Sequence, residues 1–144
     1  MSKPIPIVIC ARQARIAEPV IERLAPEYEA IHVCLSVEAA ITDIPTLLRG
    51  GTLPSESKGL GSKNFANPPE AVILGGGFDL AAFNVIRESC KGISNVPWLR
   101  ASAEIPPEEA AKPGYPDKVI EKFSSKLRQV RDEGGMGKDG VWEY

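Results

Sequence analysis

Four short apolar runs punctuate this chain: "IPIVICA" (5–11), "YEAIHVCLS" (28–36), "AVILG" (71–75) and "VPWLRAS" (96–102), with helix-like segments between and after them. Continuous apolar runs of this length, rich in β-branched residues, suit strands buried on both faces, as in a parallel sheet. Alternation of such strands with helical segments defines the α/β class, with helices on both faces of the sheet. The expected architecture is therefore a small doubly wound domain, Rossmann-like or flavodoxin-like, with about four parallel strands. Right-handed crossovers allow two strand orders, 2-1-3-4 and 3-2-1-4, of which the first is preferred.

The helical segments carry their own punctuation. In "AEPVIERLAPE" (17–27), Val20, Ile21 and Leu24 share a face, Pro19 is expected in the first turn and Pro26 at the end. Ser36 is a candidate N-cap for a helix in which Val37, Ile41, Ile44 and Leu48 recur at helical spacing. Pro45 is expected to kink that helix or split it. Asp79 should cap the next helix, with Phe83, Ile86 and Cys90 on one face, Gly92 as a left-handed stop and Ile93 turned back onto the helix. Pro97, near the start of the fourth strand, suggests an edge position. A last helix is expected over 116–133, with Val119, Phe123, Leu127 and Val130 inward and Gly134–Gly135 as its end.

This organisation reads as one α/β domain over residues 1–135, followed by an aromatic tail, 136–144. Trp142 and Tyr144 in that tail are expected to dock on the domain or on another copy of the chain, and a homodimer is the expected assembly. Residues 50–70 form a connection of about twenty residues where four to six is usual, so this loop is expected to be functional, disordered or packed against something.

Composition excludes several classes. A net charge of −2 gives no basic surface for nucleic acid or a membrane. Cys10, Cys34 and Cys90 fall in apolar runs and are odd in number, which suits a reducing compartment and a cytoplasmic protein. There is no CxxC pair and His32 is the sole histidine, so no metal site is expected. The apolar N-terminal stretch is short, broken by Pro4 and Pro6, and is not read as a signal peptide. No run approaches the eighteen or more apolar residues of a membrane span.

In an open parallel sheet, ligands bind beyond the carboxyl ends of the strands, where the strand order reverses. Both candidate orders set strand 1 at that crevice, and the loop after it is "CARQARIA" (10–17). In the preferred order strand 3 lies opposite, and "AVILGGGFDL" (71–80) supplies the turn Gly75, Gly76, Gly77 leading into a helix N-terminus. Guanidinium forks, bare backbone and a helix N-terminus all favour an anion. Candidate ligand-binding residues are thus Arg12, Gln13, Arg15, Gly75, Gly76, Gly77, Arg100 and Ser102, with an anionic small molecule as the partner. Asp79 competes, since an N-cap occupies some of those donors.

Catalytic candidates are few: Cys10, Arg12 and Glu104. Cationic neighbours would lower the Cys10 thiol pKa, whereas the alternative is a buried apolar filler. His32 lies mid-strand and is expected to be structural. "PPEEAA" (106–111) reads as a short helical turn, either a lid or a spacer.

The topology resembles three families, and in each the defining motif is missing. Dinucleotide-binding Rossmann domains carry GxGxxG after strand 1, where this chain has "CARQAR"; "GLGSKN" (59–64) half-matches but follows no strand. Receiver domains of response regulators need an acidic pair after strand 1 and an aspartate ending strand 3, where arginines and Gly75 stand. Flavodoxins hold the flavin phosphate in a Ser/Thr/Gly-rich loop that is also lacking. No cofactor is recognisable, and a nucleotide-type ligand has no standard motif to hold it. The functional expectation is a small-molecule-binding domain with an anion-favouring crevice, with a cofactor-independent lyase or isomerase as the reaction class. The alternative is a non-enzymatic homodimeric scaffold protein.

Overall fold

The structure, a computed structural model, describes residues 4–12, 14–24, 27–51, 61–62, 65, 68–75, 78–93, 96–101, 115–135 and 138–144; of residues 14–16, 115–117, 119 and 123 it describes the backbone alone. The strands are β1 (Ile5–Cys10), β2 (Tyr28–Cys34), β3 (Ala71–Leu74), β4 (Pro97–Arg100) and β5 (Gly140–Glu143). The helices are α1 (Ala14–Leu24), α2 (Val37–Leu48), α3 (Leu80–Ser89) and α4 (Tyr115–Asp132). All strand pairs are parallel, in the order β2-β1-β3-β4-β5. The preferred order is borne out and extended by a fifth strand from the aromatic tail.

The sheet is buried on both sides, as its apolar runs demand. On one face Val8, Cys10, Ile31, Cys34, Val72, Leu74 and Trp98 meet Ala40, Ile44 and Leu47 of α2 and Phe83 and Ile86 of α3. On the other, Ile7, Ile9, Ala30, Val33, Ile73 and Leu99 meet Ala17, Val20 and Leu24 of α1 and Ile120 and Leu127 of α4. Among the described residues, no helix is long and apolar enough to cross a membrane.

The helix starts follow their caps. Ser36 Oγ accepts from Ala39 N at 3.1 Å, and Asp79 Oδ1 accepts from Ala82 N at 2.8 Å. Gly92 and Gly134 both take the left-handed conformation, with φ of 76°.

Three expectations are corrected. First, α1 begins at Ala14, so Pro19 stands inside the helix and not in its first turn. The earlier start brings Ala17, 1% exposed, into line with Val20 and Leu24 on the apolar face. Second, α2 is not split at Pro45. A proline inside a helix costs about 3 kcal/mol. Leu47 and Leu48 beyond it are buried, and each gains about 1.5–3 kcal/mol by staying in place. Third, β4 is not an edge strand but lies between β3 and β5. Pro97 is tolerated because the pairing of β4 with β3 starts one residue later, at Val72 and Trp98.

The tail docks on its own domain. Trp142 and Tyr144 pack against the core on the α1/α4 face, and the Tyr144 amide donates to the Arg100 carbonyl at 3.0 Å. Part of the long connection is also packed: the Ser62 amide donates to the Ala30 carbonyl at 2.9 Å, beside the edge strand β2, and Phe65 lies against the core.

Candidate functional site

The chain order reverses between β1 and β3, which are neighbours in register from Ile7–Ala71 to Cys10–Leu74. The loop after β1 leads to α1 on one face, and the loop after β3 leads to α3 on the other. The helices they feed lie on opposite faces, the arrangement in which a ligand crevice is expected at the carboxyl ends of the strands. The backbone ladder closes its floor: the Gly75 amide donates to the Cys10 carbonyl at 2.9 Å, and the Ala11 amide to the Cys34 carbonyl at 3.0 Å.

Arg12 stands on the β1 side, exposed, with its guanidinium carbon 4.6 Å from the centroid of the Phe78 ring. Phe78 belongs to the β3 side and is buried, so Arg12 reaches across the mouth of the crevice. A cation over an aromatic face at an exposed position is worth about 0.5–1 kcal/mol. That is enough to help orient the guanidinium.

Gly75 faces Arg12's loop across the floor. Its φ is not positive, and among the described residues a Cβ there would meet only the Cys10 carbonyl oxygen, at 3.4 Å, an ordinary contact. Neither backbone strain nor crowding by the described residues calls for glycine at this position.

Arg100 is placed differently. β4 lies on the far side of β3 from β1, and there Arg100 Nη1 donates to Glu143 Oε1 of β5 at 2.8 Å. Its guanidinium carbon lies 5.5 Å from the Phe83 ring centroid, and its Nε is buried with no hydrogen-bond partner among the described residues. Of the other candidates, Gln13, Gly76, Gly77, Ser102 and Glu104, and the side chain of Arg15, lie outside the described residues.

Cys10 is buried, as the filler reading expects. A hydrogen bond to Cys34 together with burial pushes its pKa well above the ordinary thiol value, with no arginine among the causes. The lowered thiol is Cys34, brought down to about 6 as acceptor of the Cys10 S–H bond and as neighbour of His32, against the opposing effect of burial.

Cys34 belongs to a second cluster on the α2 side of the sheet. His32 is 1% exposed, and its Nε2 donates to Asp43 Oδ2 of α2 at 2.9 Å. The Phe65 ring meets the imidazole edge-on at 6.5 Å between centroids. A register shift puts His32 there. Ile7 pairs with Ala30 but Val8 pairs with His32, so Ile31 is an extra residue in β2. Ala30 and Val33 then face α1 and α4, while Ile31 and Cys34 face α2 and α3. Strict alternation along β2 would have set His32 and Cys34 on the face of Ala30, so their meeting with Asp43 of α2 is hidden from sequence spacing.

The chain is 32% identical over 142 residues to Kojic acid related protein 6 of Aspergillus oryzae (strain ATCC 42149 / RIB 40), an alignment covering 95% of this chain and 84% of that protein. The chain belongs to that protein's family. No protein-family model matches it, and no solved structure matches it. Because the alignment covers 95% of the chain, most of the sheet and of both helical layers falls within the shared region.

Proposed function

We propose that this chain is a small-molecule-binding domain whose ligand is an anion held in the crevice between the β1 and β3 loops. The observation that carries the reading is the placement of Arg12. Its guanidinium lies over Phe78 beside the point where strand order reverses, and a guanidinium there suits a carboxylate or phosphate. The spare glycine at 75 supports it, since bare backbone lets such a group come close.

Binding is the claim. A cofactor-independent lyase or isomerase would need an acid or base at the rim as well, and Glu104 is the one carboxylate among the candidates. The printed name of the Aspergillus oryzae relative ties that protein to kojic acid, so kojic acid joins the anions as a probe.

The test is native mass spectrometry of gently purified protein, followed by calorimetric titration with inorganic phosphate, citrate, AMP and kojic acid. A co-purifying mass, or saturable binding of one probe, is expected, with Arg12→Ala weakening it by about 10- to 100-fold. Bare protein that binds none of the four, or an affinity that ignores Arg12→Ala, overturns the reading.

A further inference from the structure

We propose that His32, Cys34 and Asp43 form a binding site for a divalent transition metal, with zinc the ion that best suits the donors. One ligand atom from each of the three lies within 4.8 Å of the others. In a tetrahedral zinc centre, bond lengths of about 2.0–2.3 Å set ligand atoms roughly 3.3–3.8 Å apart. The cluster therefore needs only small side-chain rotations to close on an ion, mainly a slight opening of the 2.9 Å contact between His32 Nε2 and Asp43 Oδ2.

Charge and donor type point the same way. A thiolate, a carboxylate and a neutral imidazole together carry two negative charges, so a divalent ion makes the unit neutral, as a buried position requires. Coordination through Nε2 releases the thiol proton of Cys34 to solvent and requires the imidazole proton to sit on Nδ1 instead, which keeps the ring neutral. Sulfur and nitrogen donors select against magnesium and calcium, which take oxygen.

The donors sit on regular elements, with Cys34 ending β2, His32 fixed by the extra residue in that strand and Asp43 midway along α2. Cys10 stands opposite Cys34 in the β1–β2 register and in the same core cluster, a neighbour placed to orient a metal thiolate from outside. Asp43, with 19% of its side chain exposed, gives the site an edge toward solvent, while His32 and Cys34 are buried. Three protein ligands leave one tetrahedral position for water, the pattern of catalytic zinc more than of structural zinc. Cys34 touches the proposed crevice only through its backbone carbonyl and the anion reading uses none of the three side chains, so this inference stands or falls apart from it.

The test is titration of the chelator-stripped, reduced full chain with cobalt(II), read by absorption, together with the zinc content of untreated protein. One equivalent of cobalt is expected to give tetrahedral visible bands and a sulfur-to-cobalt charge-transfer band, both displaced by zinc. Cys34→Ser should abolish the charge-transfer band. Asp43→Asn keeps an acceptor for His32, so the fold persists, and it should weaken cobalt binding at least tenfold. Cys90→Ser, in the same core but outside the cluster, should change neither signal. Absence of the bands at one equivalent, or bands that persist unchanged in folded Asp43→Asn, as for ions bound adventitiously at the surface, would overturn the proposal.

Discussion

The hydroxyl of Tyr144 donates to the carbonyl of Leu74 at 2.8 Å, reaching over β4 to the carboxyl end of β3. The Ala101 amide donates to the same carbonyl at 3.2 Å, so one oxygen at the rim of the crevice ties together three strands' worth of chain. Tyr144→Phe removes one of these two bonds and leaves the ring in place. The expected loss is about 1 kcal/mol, the net worth of an ordinary hydrogen bond. Urea unfolding of the two proteins side by side measures it, and identical midpoints would mean that water replaces the hydroxyl at no cost.

Gly61 offers a sharper test of how the long connection is held. Its φ is +111°, and a Cβ there would lie 2.8 Å from the Cα and the amide nitrogen of His32 and 2.9 Å from the Ala30 carbonyl oxygen. All three are backbone atoms of β2 and cannot swing aside. Gly61→Ala should therefore cost on the order of 3 kcal/mol or more. Gly92 also has a positive φ, but nothing lies within 4 Å of its Cβ position, so Gly92→Ala should cost only about 1 kcal/mol. Equal losses in the two variants would show that the close approach to β2 contributes nothing.

The strands and caps were legible because each depends on a few neighbouring residues: β-branched runs for β1 and β3, and Ser36 and Asp79 for the starts of α2 and α3. What failed was local reasoning overruled by burial. Pro45 and Pro19 look like breaks only if the apolar faces on either side of them are ignored. β5 was missed as a strand because "GVWE" is short and half-exposed, and its pairing with β4 is visible only once α4 has brought the chain back.

Tyr28 has a buried hydroxyl with no hydrogen-bond partner among the described residues, on a side chain 4% exposed. Burial raises its pKa above the ordinary 10.0, with Arg131 opposing. A raised folded pKa means that the protonated phenol is favoured by folding. The stabilisation is complete below the unfolded value and is lost as pH rises through the folded one. Tyr28→Phe removes an unsatisfied polar group and should raise stability by about 1 kcal/mol at neutral pH. Its advantage should widen above pH 10, because the variant has no phenol to ionise on unfolding. Urea midpoints at neutral and strongly alkaline pH check both points; an advantage that stays constant or shrinks would contradict the assigned sign.

The position of Arg12 and Gly75 beside the switch point was readable from the sequence, because a switch point follows from strand order alone. The bond of Arg100 to Glu143 was not, since it depends on a strand that the sequence reading did not include. The cluster of His32, Cys34 and Asp43 was illegible for a different reason. A single extra residue in β2 changes which side chains face α2, and no periodicity signals it.

That cluster gives the last prediction, which concerns the stability of the metal-free protein. His32 is buried and Asp43 accepts its Nε2–H at 2.9 Å. Asp43→Ala removes that acceptor from an imidazole that cannot reach solvent there, and the penalty for the stranded donor is about 1–3 kcal/mol. Asp43→Asn offers a carbonyl oxygen in the same place and should cost clearly less. The ranking, wild type above Asn above Ala, is what denaturant midpoints should return. If Asn and Ala prove equally damaging, the carboxylate's charge and not its hydrogen bond is what His32 needs, and the imidazole beside Cys34 is then held as a cation.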